Sequence, residues 1–154
     1  NNTKRIGDTN YSDVQWWLEW YTATGATAVT VTVNVTYNDG TTGALAAASL
    51  AATRPASFML SLNALIPAAA SGRYIRAVNT VTLSATTGTA GSFGVTATRP
   101  RMTLAAPIAN MKFVADWAQL GFPEIFNESC LFPIVLTSTT STGTVRGGGK
   151  ISHG

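Results

Sequence analysis

Charge is what this sequence has least of. Its 154 residues hold ten Lys and Arg and seven Asp and Glu, 11% in all, where an average domain carries about a quarter. A coiled coil is excluded, because it needs Glu and Lys along every heptad. The net charge of +3 rests on cations scattered from Lys4 to Lys150. With no basic stripe to neutralise successive phosphates, a nucleic-acid partner is not expected. Cys130 is the only cysteine, so an intrachain disulfide and a thiolate metal cluster are both ruled out. It reads as a small buried apolar residue. The only histidine, His153, lies next to the last residue, where a fraying terminus holds no general base in place. No run approaches the roughly 18 apolar residues of a membrane helix, and no membrane partner is expected.

Apolar residues, by contrast, make up 45% of the chain. A sequence this apolar and this weakly charged has no reason to stay expanded, and its length suits one core. The expectation is a single domain over residues 1–154, with residues 1–11 as an extended arm.

What is abundant is alternation. Val14, Trp16, Leu18 and Trp20 alternate with Gln15, Trp17, Glu19 and Tyr21, which predicts a strand with the first set buried. Val29, Val31, Val33, Val35 and Tyr37 alternate with Thr30, Thr32, Asn34 and Thr36. β-Branched residues on both faces suit a pleated strand and crowd a helix. Asn38, Asp39 and Gly40 tolerate positive φ, so Thr41 to Ala46 is expected to return antiparallel. Phe58, Leu60 and Leu62 alternate next, and the Ala-rich stretch from Ala64 to Ser71 reads as a connection. Tyr74 to Ala85, a Thr/Gly turn, and the alternating Phe93, Val95 and Ala97 predict a second hairpin. Met111, Val114, Ala115 and Ala118 stand at helical spacing, which predicts one short helix near 110–120, stopped by Gly121 and Pro123. A last pair of strands is expected over 131–137 and 143–152. Many short strands without a βαβ rhythm point to an all-β sandwich with Greek-key or jelly-roll-like wiring.

Chemistry is scarce. Ser129 and Cys130 have no oriented His to form a triad, and no nucleophile elbow precedes them. Glu124 and Glu128 are four apart, but Pro123 before them and the turn-like Asn127 between them argue for a surface loop over a shared helical face. Gly147 to Lys150 resembles a phosphate loop until its ends are checked: Thr144 stands where glycine is required, and Ile151 where Ser or Thr is required. No catalytic residue, metal ligand or cofactor is expected. Strand faces that meet solvent carry Thr, Ser, Asn and Ala in place of Lys and Glu, leaving edges without the charges that discourage pairing with another chain. Trp16 and Trp20 read as core. Trp17 and Trp117, with Thr30 and Thr32, are the candidate interface, since aromatic side chains anchor the charge-poor centres of protein contacts.

Four stretches carry a resemblance: Leu18 to Val29 (LEWYTATGATAV), Thr36 to Gly43 (TYNDGTTG), Val78 to Gly91 (VNTVTLSATTGTAG) running on to Arg99 and Pro100, and Thr140 to Val145 (TSTGTV). Over most of the chain beyond Tyr11 the sequence resembles small virion structural proteins of tailed bacteriophages, encoded among head and neck genes. The resemblance implies a non-enzymatic role in the virion without choosing among capsid surface, vertex, neck and tail; the first expectation is a capsid decoration or head-associated protein that acts by oligomeric packing. Its partners would be copies of itself and other virion proteins such as the major capsid protein. Two further readings stay open: a receptor- or carbohydrate-binding β-sandwich of a tail fibre, and a tail tube or adaptor subunit. No site residue is carried over from the resemblance.

Overall fold

The alternating segments do form strands. A computed structural model describes residues 10–88, 91–104, 114–121, 125 and 129–136. Among them are seven strands: β1 (Gln15–Trp20), β2 (Val29–Tyr37), β3 (Thr42–Ala44), β4 (Ala48–Leu50), β5 (Met59–Ser61), β6 (Ile75–Leu83) and β7 (Phe93–Thr98). They build two antiparallel sheets packed together as an all-β sandwich. One sheet has the order β5-β1-β7; in the other, β2 pairs with β3 and β4 along one side and with β6 along the other. The chain divides into two units, Asn1–Phe122 and Pro123–Gly154, and every described strand belongs to the first.

The long strand β2 sets the core. Val29, Val31, Val33, Val35 and Tyr37 are all buried, while Thr30, Thr32 and Asn34 between them are exposed. This is the period of two expected for one buried face. Leu18 and Trp20 come from the facing sheet, and Leu45, Leu50, Leu62 and Ile75 close the same cluster. Trp20 lies 5.9 Å, centroid to centroid, from both Phe58 and Phe93 in tilted contacts. The Trp16 indole N–H donates to the Ile75 carbonyl at 2.8 Å, tying β1 of one sheet to β6 of the other.

The predicted turn at Asn38, Asp39 and Gly40 is a three-residue loop. Tyr37 N–H donates to the Thr41 carbonyl at 2.8 Å, and Gly40 takes φ of 84°, the left-handed conformation that favours glycine. The returning strand is interrupted. Thr36 pairs with Thr42, but Val31 pairs with Ala48, a one-residue offset that places a bulge at Ala46 and Ala47. Both are exposed, and the buried alternation resumes at Ala48. Strand β6 carries two register shifts of its own, beside Asn79 and Arg76.

Two expectations need correcting. Tyr74 to Ala85 and Phe93 to Ala97 are strands, but not a hairpin: β6 pairs with β2 and β7 pairs with β1, in different sheets. The connection between them crosses the sandwich and is held on the way, with Thr87 buried and its carbonyl accepting from Thr27 N–H at 3.2 Å. Leu131 to Leu136 forms no strand, because Pro133 in its middle lacks an N–H and fits poorly in a ladder; its partner at 143–152 lies outside the described residues. The short helix is one α-helical turn, Trp117–Leu120. Asp116 and Gln119 close a reciprocal cap at its start, with Gln119 N–H donating to Asp116 Oδ1 at 2.8 Å. Gly121 ends it at φ of 57°. Residues 1–9 of the expected arm lie outside the described residues, and Tyr11 at its end is buried.

Tyr37 carries a testable cost. Its hydroxyl is buried without a hydrogen-bond partner, and an unsatisfied buried donor costs about 1–3 kcal/mol. Tyr37→Phe is therefore expected to raise stability by about 1 kcal/mol, seen as a higher denaturant midpoint at an unchanged slope. A lowered midpoint would show that the hydroxyl is satisfied in solution.

Candidate interaction surface

Because β2 is the central strand of its sheet, its outward residues lie in the middle of a broad face. Thr32 stands opposite Thr82, Thr30 opposite Ser49, and Asn34 opposite Thr80 and Ala44. Thr30, Thr32, Asn34, Thr80 and Thr82 are all exposed. The hydrogen bonds on this face are local. Thr30 N–H donates to Ser84 Oγ at 2.9 Å, and Thr36 and Asn79 share side-chain bonds of 3.0 to 3.1 Å. Away from Arg76 at the bulged start of β6, the two neighbouring strands thus present small, uncharged, hydroxyl-rich residues without a base to activate any of them. Such a face can pack; it offers no group to catalyse proton transfer.

The four candidate interface residues do not come together. Thr30 and Thr32 share the outer face of the four-stranded sheet, while Trp17 belongs to the other sheet. Trp17 does turn away from the shared core, between Ser61 and Thr96 of the flanking strands, yet it is only 6% exposed. Its indole N–H donates to Thr98 Oγ1 at 2.8 Å, so both its apolar ring and its polar edge are already provided for within the chain. Trp117 is placed by its backbone alone, at the first position of the helical turn.

Each described carboxylate is engaged by a neighbour. Asp13 pairs with Arg99. Glu19 Oε2 accepts from the Thr96 hydroxyl at 2.8 Å, and Asp116 caps the helical turn. Asp39 accepts from both the hydroxyl and the N–H of Thr41, at 2.6 and 2.9 Å, and pairs with Arg73 at 3.1 Å. The Thr41 hydroxyl, then the Thr41 N–H, and then the Arg73 guanidinium hold its carboxyl below the usual carboxylate range. This is the chemistry of a pinned turn. No group of three metal-ligating side chains occurs among the described residues, and no helix among them is long and apolar enough to cross a membrane.

Cys130 is exposed, against the expectation of a buried residue. Its neighbours Leu131 and Phe132 are exposed as well, because this stretch has no strand or helix on which to build a covered face. His153, Glu124, Glu128 and the Gly147 to Lys150 segment lie outside the described residues. The tripeptide Thr-Arg-Pro occurs twice, at Thr53 to Pro55 and at Thr98 to Pro100, and its two copies do different work: Arg54 lies 4.7 Å over the Phe58 ring, whereas Arg99 pairs with Asp13. A shallow hollow lined by Ser12, Asp13, Val14, Gln15, Asn63 and Pro100 has no aromatic ring to stack on a sugar.

Sequence reasoning missed one feature, an apolar fringe along β7. Tyr21 is 54% exposed and Val95 37% exposed, and Met102 and Leu104 follow the strand with nearly half their surface open. The signal was legible: from Ser92 to Thr98 there is no charged residue and no proline. No family model, no curated protein and no solved structure matches the chain.

Proposed function

We propose that this protein is a non-enzymatic structural component of a tailed-phage virion, a capsid decoration or head-associated protein. It acts by packing against copies of itself and against other virion proteins such as the major capsid protein. The observation that carries this reading is the exposed outer face of β2 and β6, where Thr30, Thr32, Thr80 and Thr82 stand in place of the charges that keep sheets apart. The engaged carboxylates favour structure over catalysis. The lack of an aromatic ring in the hollow beside Asp13 favours assembly over glycan binding. The resemblance to head and neck proteins supplies the virion.

The test is to locate the chain in purified particles by mass spectrometry and by its density in the intact virion. The expected result is a fixed number of copies on the head or neck, each burying more than about 1,000 Å² against its neighbours. A chain absent from washed particles would overturn the proposal.

A further inference from the structure

Among the described residues both sheets of the sandwich end in edges with no strand beyond them, and these edges are not alike. Strand β5 is only three residues long. On the opposite sheet, the edge formed by β3 and β4 is broken by the bulge at Ala46 and Ala47, and β6 carries two register shifts and the charge of Arg76. Shortness, bulges and charge are the devices that stop an edge from recruiting another strand. Strand β7 has none of them. It pairs with β1 without a register shift from Gln15 and Thr98 to Trp20 and Phe93, and its six residues, FGVTAT, include no charge and no proline.

Its free backbone groups can be assigned. Tyr21 N–H donates to the Ser92 carbonyl at 2.8 Å, which marks Tyr21 and Ser92 as a hydrogen-bonded pair. By alternation, Gly94, Thr96 and Thr98 of β7 also bond toward β1. The other side of β1 agrees: Trp20 N–H donates to Phe58, and Leu62 N–H donates to the Trp16 carbonyl, both away from β7. Phe93, Val95 and Ala97 therefore point their N–H and C=O groups outward along the edge. Their side chains share a face with Trp16, Leu18 and Trp20, the side of the sandwich core, yet Val95 is 37% exposed. A core-facing valine left open is a sheet that stops one strand short.

We infer that β7 pairs antiparallel with β7 of a second copy, about a two-fold axis at Val95, joining the two three-stranded sheets into one of six strands. The parity of the edge selects this register. Phe93 exchanges bonds with the second copy's Ala97, Val95 with the second copy's Val95, and Ala97 with the second copy's Phe93, so all outward groups at these positions are satisfied. Large then meets small on the core side. The second copy is the occupant because the edge is uncharged and complementary to itself, and a two-fold contact uses the same patch twice. The fringe fits too. Of the five exposed large hydrophobic residues described in the first unit, Val95 lies on β7, and Met102 and Leu104 follow it. A fourth, Tyr21, lies over β7, its hydroxyl standing where a Cβ on Gly94 would be.

This inference deepens the assembly reading by naming its partner, and sedimentation velocity of the full chain at micromolar concentration tests it. The parent is expected to run as a dimer. Ala97→Pro removes an outward N–H without touching the β1 ladder, and Val95→Lys puts a charge on the axis. Each is expected to weaken association at least tenfold while keeping the parent's circular dichroism spectrum. Since proline can also disturb the strand, Val95→Cys in a Cys130→Ser background gives an independent readout. The two thiols meet at the axis at a Cα separation of about 5.5 Å, within disulfide range, and mild oxidation is expected to yield a covalent dimer, while Gly94→Cys yields none. A monomeric parent, or dimers that survive in both edge variants, would overturn the inference. Incorporation of such a monomer into particles would leave the structural role standing, whereas a β7 dimer absent from virions would do the reverse.

Discussion

Val33→Asp is expected to destabilise the protein by more than about 3 kcal/mol or to abolish folding, while Thr32→Asp costs under about 1 kcal/mol. The two positions are adjacent, and the backbone at each is central to the same ladder, opposite Val81 and Thr82 of β6. What separates them is the pleat. Val33 is 1% exposed, in the cluster shared by both sheets, where a carboxylate has neither water nor a cation to replace it. Thr32 is exposed on the outer face, where a carboxylate keeps its hydration. Denaturant melts of the two variants measure the difference. A Val33→Asp protein that melts like its parent would mean that the strand faces the other way and that the sandwich is wrong. Thr32→Asp also bears on function: if it folds normally but fails to enter particles, the threonine face is an assembly surface.

Trp20→Ala is expected to cost about 4 kcal/mol, a large share of the 5–15 kcal/mol that holds a domain of this size together. Trp20 is 1% exposed and touches aromatic rings from both flanks: Phe58, just before β5, and Phe93 of β7. Removing the indole therefore opens a void where all three strands of one sheet meet the core. Its neighbours cannot fill that void without giving up their pairing. Tyr21→Ala, one residue on, removes a ring that is more than half exposed and is expected to cost under about 1 kcal/mol. Equal midpoints for the two variants would place Trp20 outside the core.

Much of this architecture was legible because side-chain alternation is a local property. The valines of β2 declare its buried face, and Asn38, Asp39 and Gly40 declare its turn, since the pleat and the left-handed glycine are settled within a few residues. The interface residues were harder to read. Trp17 alternates outward as expected, but whether an outward residue meets solvent depends on what lies over it. The indole bond to Thr98 joins residues 81 positions apart.

Pairing partners were the part that only the tertiary structure decided. The sequence alone determined that β6 and β7 are strands and that a Thr/Gly stretch joins them, and a hairpin is the shortest way to satisfy those facts. The structure instead places β6 against β2 and β7 against β1. The entropy of closing a loop grows only slowly with its length, so a longer-range partner loses little to a near one and wins wherever it buries more apolar surface. Here β6 carries Val78, Val81 and Leu83 onto the valines of β2, and β7 carries Phe93 onto Trp20. No feature within either strand records that choice, because it is made by the complementarity of two faces that meet only when the chain has folded.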